Sequence, residues 1–282
     1  MSTSAPYDLS LIGYETVKIN SVPWRNQGRV LSPLVPDLSK DQNCQREVRR
    51  AILWKNLFLA RWEGPSTSDH CEWWQVLQDR FIPLEELSAN TRSKVRRGLR
   101  GFRFKVVARE QIVNEGYRVY ANAFERYETH EKCLSETEFR QAILCKTKRS
   151  EFFGAFEEET DKLAAFSENV VDRGICFYNT IWFSPEALKN YVSYGLFYRM
   201  SEHYLSDRNF CYISDGSRNI SHKTNVHQFL MDKFKFRRSY CRLHVIYHPV
   251  VGAAVKILYP FRGRLAPLES TMAKKLSVLL EL

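Results

Sequence analysis

The chain of 282 residues predicts an α/β fold, a mixed and mostly antiparallel sheet with helices on both faces, preceded by a small N-terminal subdomain. Three observations carry this. Residues 151–183 hold three strand-like runs in succession, joined by short polar turns. Two amphipathic helical patterns precede them, and helices alternate with apolar runs after them. Hairpin-linked strands followed by strands alternating with helices imply a mixed sheet covered by helices.

Taken in order, residues 1–90 form the subdomain, punctuated by Pro23, Pro33 and Pro36, with short strand-like pieces such as TVKI. A helical pattern runs from Asp41 to Leu59, with Val48, Ile52 and Leu53 along one face. WEGPSTSDH is a loop by composition, and CEWWQVL a strand in which Trp73 and Trp74 point to opposite faces. From 104 the elements fall into a clear order. FKVVA is a strand, and Gln111–Tyr127 a helix with Ile112, Gly116, Tyr120, Ala123, Phe124 and Tyr127 on one face. Ser135 and Glu138 make a capping box for a second helix that turns Phe139, Ala142 and Ile143 inward. EFFGAF and KLAAFSENVV are joined by the acidic turn EEETD, and ICFYNTIWF follows.

Pro185 suits the first turn of a long helix, along which Leu188, Val192, Leu196, Met200 and Tyr204 recur every four residues. Tyr191, Tyr194 and Tyr198 run beside that apolar face, as core residues do. RNFCYIS is a strand ended by the Asp215-Gly216 turn pair. Thr224 is placed to cap a helix with Val226, Phe229, Leu230 and Phe234 on one face. SYCRLHVIY is the closing strand, stopped by Pro249. Residues 91–260 thus read as one domain and 261–282 as a C-terminal tail or helix.

The opening MSTSAPYDLSLIGYE lacks a basic cluster followed by an apolar run, and no stretch is apolar enough to insert into a membrane. Seven cysteines stand singly, with no CxxC, as in a reduced cytoplasmic protein. His244 and His248 are too far apart on a strand for one metal ion, and His222 and His227 are five apart, off a common helix face, so no metal is expected. Net charge +10 and a pI near 9.2 suit an anionic partner. The charge concentrates in RSKVRRGLRGFRFK, residues 92–105, which holds Arg92, Lys94, Arg96, Arg97, Arg100, Arg103 and Lys105 and no acid. Repulsion on this scale is relieved by solvent or by a bound polyanion, making Arg92, Arg96 and Arg97 candidate substrate-binding residues.

The element order resembles that of the GNAT superfamily of acyltransferases. Two details resemble its Fem-type aminoacyl transferases: the basic R-S-K-V-R-R before the first strand, and QFLMDKFKFRRSY, similar to a helix closing on Phe-Lys-x-x-Phe-Gly. The likeness covers 90–260 and implies an acyl- or aminoacyltransferase acting on an amine, with acyl-CoA or aminoacyl-tRNA as donor. The chain departs from the pattern in three places. Acetyl-coenzyme A users carry a Gln/Arg-x-x-Gly-x-Gly/Ala turn whose amides hold the pyrophosphate. Here the junction is Phe183-Ser184-Pro185-Glu186-Ala187, without glycine, which fits Fem-type enzymes taking aminoacyl-tRNA. If Phe234 closes the motif, Met231 stands where its lysine should; pairing Phe236 instead restores Lys233 but puts Asp232 at the first Phe. Fem-type enzymes also hold two GNAT-like units, and residues 1–90 supply at most a fragment of a second.

The polar run Asp215–Asn225 is the densest set of groups for acyl transfer, at a strand's C-terminal end before a helix. Asp215 or His222 could take a proton, Arg218 and Asn225 could bind substrate, and Lys233 or Lys235 could neutralise an oxyanion. Singly, each also has an ordinary reading as turn, cap or solvated residue. Two other functions stay open: a non-catalytic RNA-binding or scaffold protein of this fold, and an acetyl-CoA-dependent N-acetyltransferase with an unusual cofactor loop.

Overall fold

The computed structural model describes residues 14–39, 44–66, 73–126, 132–217 and 225–261. The N-terminal strands are β1 (Glu15–Ile19), β2 (Val22–Gln27), β3 (Val30–Pro33), β4 (Leu59–Pro65) and β5 (Trp74–Gln78), with helix α1 (Gln45–Trp54) before β4. Then come α2 (Ala89–Gly101), β6 (Phe102–Val107), α3 (Arg109–Phe124), α4 (Glu136–Leu144), β7 (Ser150–Glu157), β8 (Leu163–Asp172) and β9 (Ile175–Phe183). The last elements are α5 (Pro185–Lys189), α6 (Val192–Ser201), β10 (Tyr212–Ser217), α7 (Val226–Phe234), β11 (Arg237–Tyr247) and α8 (Pro249–Leu258). From β6 to β11 this is the predicted succession, with the long helix split into α5 and α6; α8 is not among the predicted elements, since Pro249, expected only as a stop, opens a helix at its first turn. The capping box at Ser135 and Glu138 is formed in both directions.

All the strands join one sheet in the order β1-β2-β3-β4-β11-β5-β10-β9-β8-β7-β6. Among the described strands only β3–β4 and β9–β10 pair parallel, so the sheet is mixed and mostly antiparallel. β7, β8 and β9 form the predicted meander. β5, from the first ninety residues, lies between β10 and β11, and β11 pairs β5 through Arg237–Tyr240 and β4 through Cys241–Tyr247.

Strand alternation distributes the core between two faces. Phe152, Phe156, Phe166 and Trp182 pack on one face against Ile112, Tyr120, Phe139 and Ile143 of α3 and α4. On the other, Phe153, Ala165 and Tyr178 meet Val95, Leu196, Met200 and Leu230 of α2, α6 and α7. A third core under α1 gathers Trp24, Leu31, Val48, Ile52 and Trp62. Each such large side chain contributes about 1.5–3 kcal/mol by leaving water.

Two helices differ from their predicted spans. The first does not reach Leu59. Asn56 is left-handed (φ 49°) and the Leu57 amide bonds back to the Ile52 carbonyl at 2.9 Å, a Schellman-type stop that frees Leu59 to open β4. The long helix from Pro185 is broken at Tyr191, which is left-handed (φ 64°). There α2 passes so close that a Cβ on Gly98 would lie 2.5 Å from the Tyr191 carbonyl oxygen. The apolar repeat survives the break, with Val192, Leu196, Met200 and Tyr204 all buried, the last within a π-helical turn, Glu202–Asp207.

Candidate active site

β9 and β10 run together only briefly. Ile175–Phe177 pair with Tyr212–Ser214; beyond that β9 stays with β8 while β10 turns to β5. Where they part, β10 bulges between Ser214 and Gly216. The Ser214 hydroxyl donates to Gln75 Oε1 (3.1 Å) and accepts the Gly216 amide (3.0 Å). Gly216 has φ +87°, and a Cβ there would sit 3.1 Å from the Phe177 ring. Only glycine suits both demands, and such a bulge re-aims the residue it carries. That residue is Asp215.

His227, in the first turn of α7, meets it. His227 Nε2 lies 3.3 Å from Asp215 Oδ2 and 3.3 Å from the Asp215 carbonyl oxygen. Each side chain keeps 13 % of its surface exposed, so the pair is buried but reachable. Desolvation pushes the Asp215 carboxyl up to about 8. Desolvation also lowers the His227 pKa, against a smaller upward pull from its bond to the Asp215 backbone. At neutral pH the pair therefore holds a protonated acid beside a neutral imidazole. The Trp74 ring meets His227 edge-on at 5.7 Å, and the Arg238 guanidinium lies 4.6 Å over Trp74. Tyr178, on the separated part of β9, has its phenol pKa raised by burial first, with smaller contributions from Cys176 and Asp215.

Among the predicted site residues that the structure describes, Asp215 alone joins this pair. Arg218, His222 and Thr224 lie outside the described residues. Asn225 precedes α7 as its cap residue, exposed and with no side-chain capping bond. Lys233 is in the last turn of α7, about 9 Å further along the axis than His227. Lys235 ends the helix in a left-handed conformation and faces Glu86 at 3.6 Å.

The basic segment divides in two. Arg103 pairs with Glu158 (3.4 Å) and with Asp161, so the acidic β7–β8 turn neutralises it. Among the described residues no carboxylate pairs with Arg92, Lys94, Arg96, Arg97 or Arg100. Arg92, Arg96 and Arg100, one helical turn apart on α2, line an open hollow of about 640 Å³ with Ala89, Ser93 and Leu99. Arg97 takes the other side, stacked 4.6 Å from the Tyr191 ring, with Lys94 5.4 Å from Tyr194. Of the predicted tyrosine stripe only Tyr198 is core; Tyr191 and Tyr194 are half-buried beneath these cations. Tyr194 in turn meets Phe229 of α7 at 5.0 Å, so α7 connects this cationic aromatic patch to His227.

His227 and Trp74 are the members that local spacing missed, since each reaches the site from a different element. An Asp-Gly turn with a histidine at the start of the next helix is the signal that could have found the pair. No group of His, Cys, Asp and Glu among the described residues could hold a metal ion.

No family model matches the chain, and no curated protein matches it. Solved structures do. The C-terminal domain of a putative lysylphosphatidylglycerol synthetase from Agrobacterium fabrum aligns with TM-score 0.55 at 15 % identity, covering 88 % of this chain and 90 % of that one. The L-PGS structure from Bacillus licheniformis gives 0.54 at 16 %, over 88 % and 90 %. FemX gives 0.53 at 9 %, over 88 % and 91 %. The likeness is one of fold over nearly the whole length of each chain: this protein shares the fold of these three structures.

Proposed function

We propose that the chain transfers an acyl or aminoacyl group to an amine at the parting of β9 and β10. The single observation that carries this is the Asp215–His227 pair, buried at a bulge beside the separated parallel strands. An amine attacking an acyl ester must shed a proton as its nitrogen–carbon bond forms and the ester carbon–oxygen bond breaks. Neutral His227 accepts that proton and returns it to the leaving oxygen, which departs as a hydroxyl, and Asp215, 3.3 Å from Nε2, fixes the ring. Arg218 and His222, on the segment between β10 and α7, with Asn225 and Lys233, are the further groups assigned to substrate and oxyanion in this reading.

Aminoacyl-tRNA is the donor favoured here. The Fem-type resemblance implies it, and the junction before α5 offers little to a pyrophosphate. Pro185 has no amide hydrogen, and Ser184 Oγ accepts the Ala187 amide at 3.4 Å. The α2 arginines face solvent without carboxylate partners, as a phosphate-binding helix requires.

A thermal-shift series with acetyl-coenzyme A, aminoacyl-tRNA and deacylated tRNA tests the donor. A ligand at a hundred times its Kd adds about 2.7 kcal/mol of stability. Stabilisation by both RNAs, weakened and less salt-dependent in R92A/R96A/R97A, with transfer to an amine lost in His227→Gln, is expected. A shift with acetyl-coenzyme A alone selects the N-acetyltransferase instead. RNA binding with no transfer to any amine selects a non-catalytic RNA-binding protein.

A further inference from the structure

Ten large apolar side chains are exposed among the described residues, and six of them, Leu53, Trp54, Phe58, Val250, Ile257 and Tyr259, lie at the end of α1, just before β4, on α8 and just after it. Here α1 stops, β4 starts and β11 passes into α8. The His248 amide bonds the Phe58 carbonyl at 2.8 Å, and Leu53 and Pro249 line a shared hollow of about 330 Å³. Trp54 is 94 % exposed.

α8 is the unusual element. Its sequence PVVGAAVKIL is the most apolar of the described α-helices, yet it alone among them buries no side chain. Val250 is 71 % and Ile257 67 % exposed. The surroundings are cationic: Arg46, Arg49, Arg50 and Lys55 are exposed on and just after α1, and Lys256 is exposed on α8. Of these Lys55 is paired, with Glu15.

Charge decides what covers this surface. A second copy docking through the same patch would bring arginine against arginine. Residues 262–282 carry four Lys/Arg against two Glu, so they too present a positive balance to the cations. An anionic partner alone relieves both terms, the apolar exposure and the charge. A short apolar helix beside an exposed Trp and an arginine face matches a surface of anionic lipid. The helix lies in the interface plane, Trp at headgroup level, Lys and Arg toward phosphate. We infer that α8 and the end of α1 form a peripheral docking surface for anionic membranes. No described helix is long and apolar enough to cross a bilayer, so attachment through this patch is reversible.

The test is co-sedimentation of the full chain with vesicles of phosphatidylcholine, alone or mixed with phosphatidylserine, compared with Val250→Asp/Ile257→Asp and with Arg49→Glu/Arg50→Glu. Binding to the mixed vesicles only is expected. It should fall about tenfold or more in each double variant, and the charge variant should also lose salt dependence. Far-ultraviolet dichroism checks that both variants stay folded, since the replaced side chains are exposed. Equal binding by wild type and the apolar variant would overturn the inference. So would absence of binding to mixed vesicles. Concentration-dependent dimerisation abolished by the same substitutions would identify a second copy as the occupant. Vesicle binding that appears only in a chain ending at Phe261 would identify the C-terminal residues.

Discussion

At the scale of single residues, the site is held at a cost in stability that pH exposes. Asp215 titrates near 8 in the folded protein because burial disfavours its charge, against an ordinary 3.8. Between those values the folded state keeps a proton that the unfolded state has lost, so stability falls as pH rises. His227 acts in the opposite direction. Its folded pKa lies below 6.5, so its contribution grows as pH rises toward that value. Asp215→Asn should therefore be more stable than wild type at about pH 8.5 and close to it at about pH 4, while transfer activity drops. Urea melts at both pH values, with turnover measured in parallel, check this; a variant destabilised at high pH would make Asp215 a structural residue. The predicted strand end at Asp215-Gly216 is instead a bulge, after which β10 continues to Ser217. Asp215 was legible in the sequence because an Asp-Gly pair interrupts a regular strand. Its partner was not: His227 gains its meaning from α7 folding back over β10, which no local spacing encodes.

At the scale of elements, the junction of α2 with α5 and α6 sets the cationic surface. Gly98 lets α2 approach until Tyr191 must break the helix, and the broken turn lays the Tyr191 ring beneath Arg97. A methyl group at Gly98 would collide with backbone, which cannot rotate away. Gly98→Ala should cost about 1–3 kcal/mol in denaturant unfolding and loosen the RNA binding proposed above, whereas Gly101→Ala, with open space around it, should cost nothing measurable. The elements from β6 to β11 were legible because each has its own period, 2 or 3.6, and its own turn residues. The break at Tyr191 was hidden because the four-residue apolar repeat runs straight through it. Its cause lies about ninety residues upstream, in the absence of a side chain at Gly98.

At the scale of the whole molecule, the two ends of the sheet are tied by polar groups as well as by strands. Glu168, fully buried on β8, accepts from Lys146 (2.9 Å), Ser150 (2.7 Å), Asn179 (2.9 Å) and Tyr14 (3.0 Å). Arg25 of β2 donates to Asn179 at 2.7 Å, so the N-terminal strands dock onto β8 and β9 through this network. Burial alone would raise the Glu168 pKa; Lys146 and the donors hold it below the ordinary range. Glu168→Gln should destabilise by about 3–5 kcal/mol, since it leaves a buried cation without its carboxylate. Lys146→Met/Glu168→Leu should recover much of that loss in calorimetry. The placement of β5 between β10 and β11 was not legible, because those pairings span more than a hundred residues and leave no periodic trace.

β11 also sets a clock. It supplies the neighbour of both β4 and β5, yet it ends at Tyr247, 182 residues after β4 ends at Pro65. A ribosome adding 5–20 residues per second needs roughly 10–40 s to cover that interval. Throughout it, the emerging chain presents β4 as an open edge rich in Leu, Ala and Trp, available to any other unpaired strand. Synthesis of the last strand is therefore the step that closes the N-terminal strands into the sheet, and a nascent chain stalled before it is the form most exposed to aggregation and most dependent on chaperones.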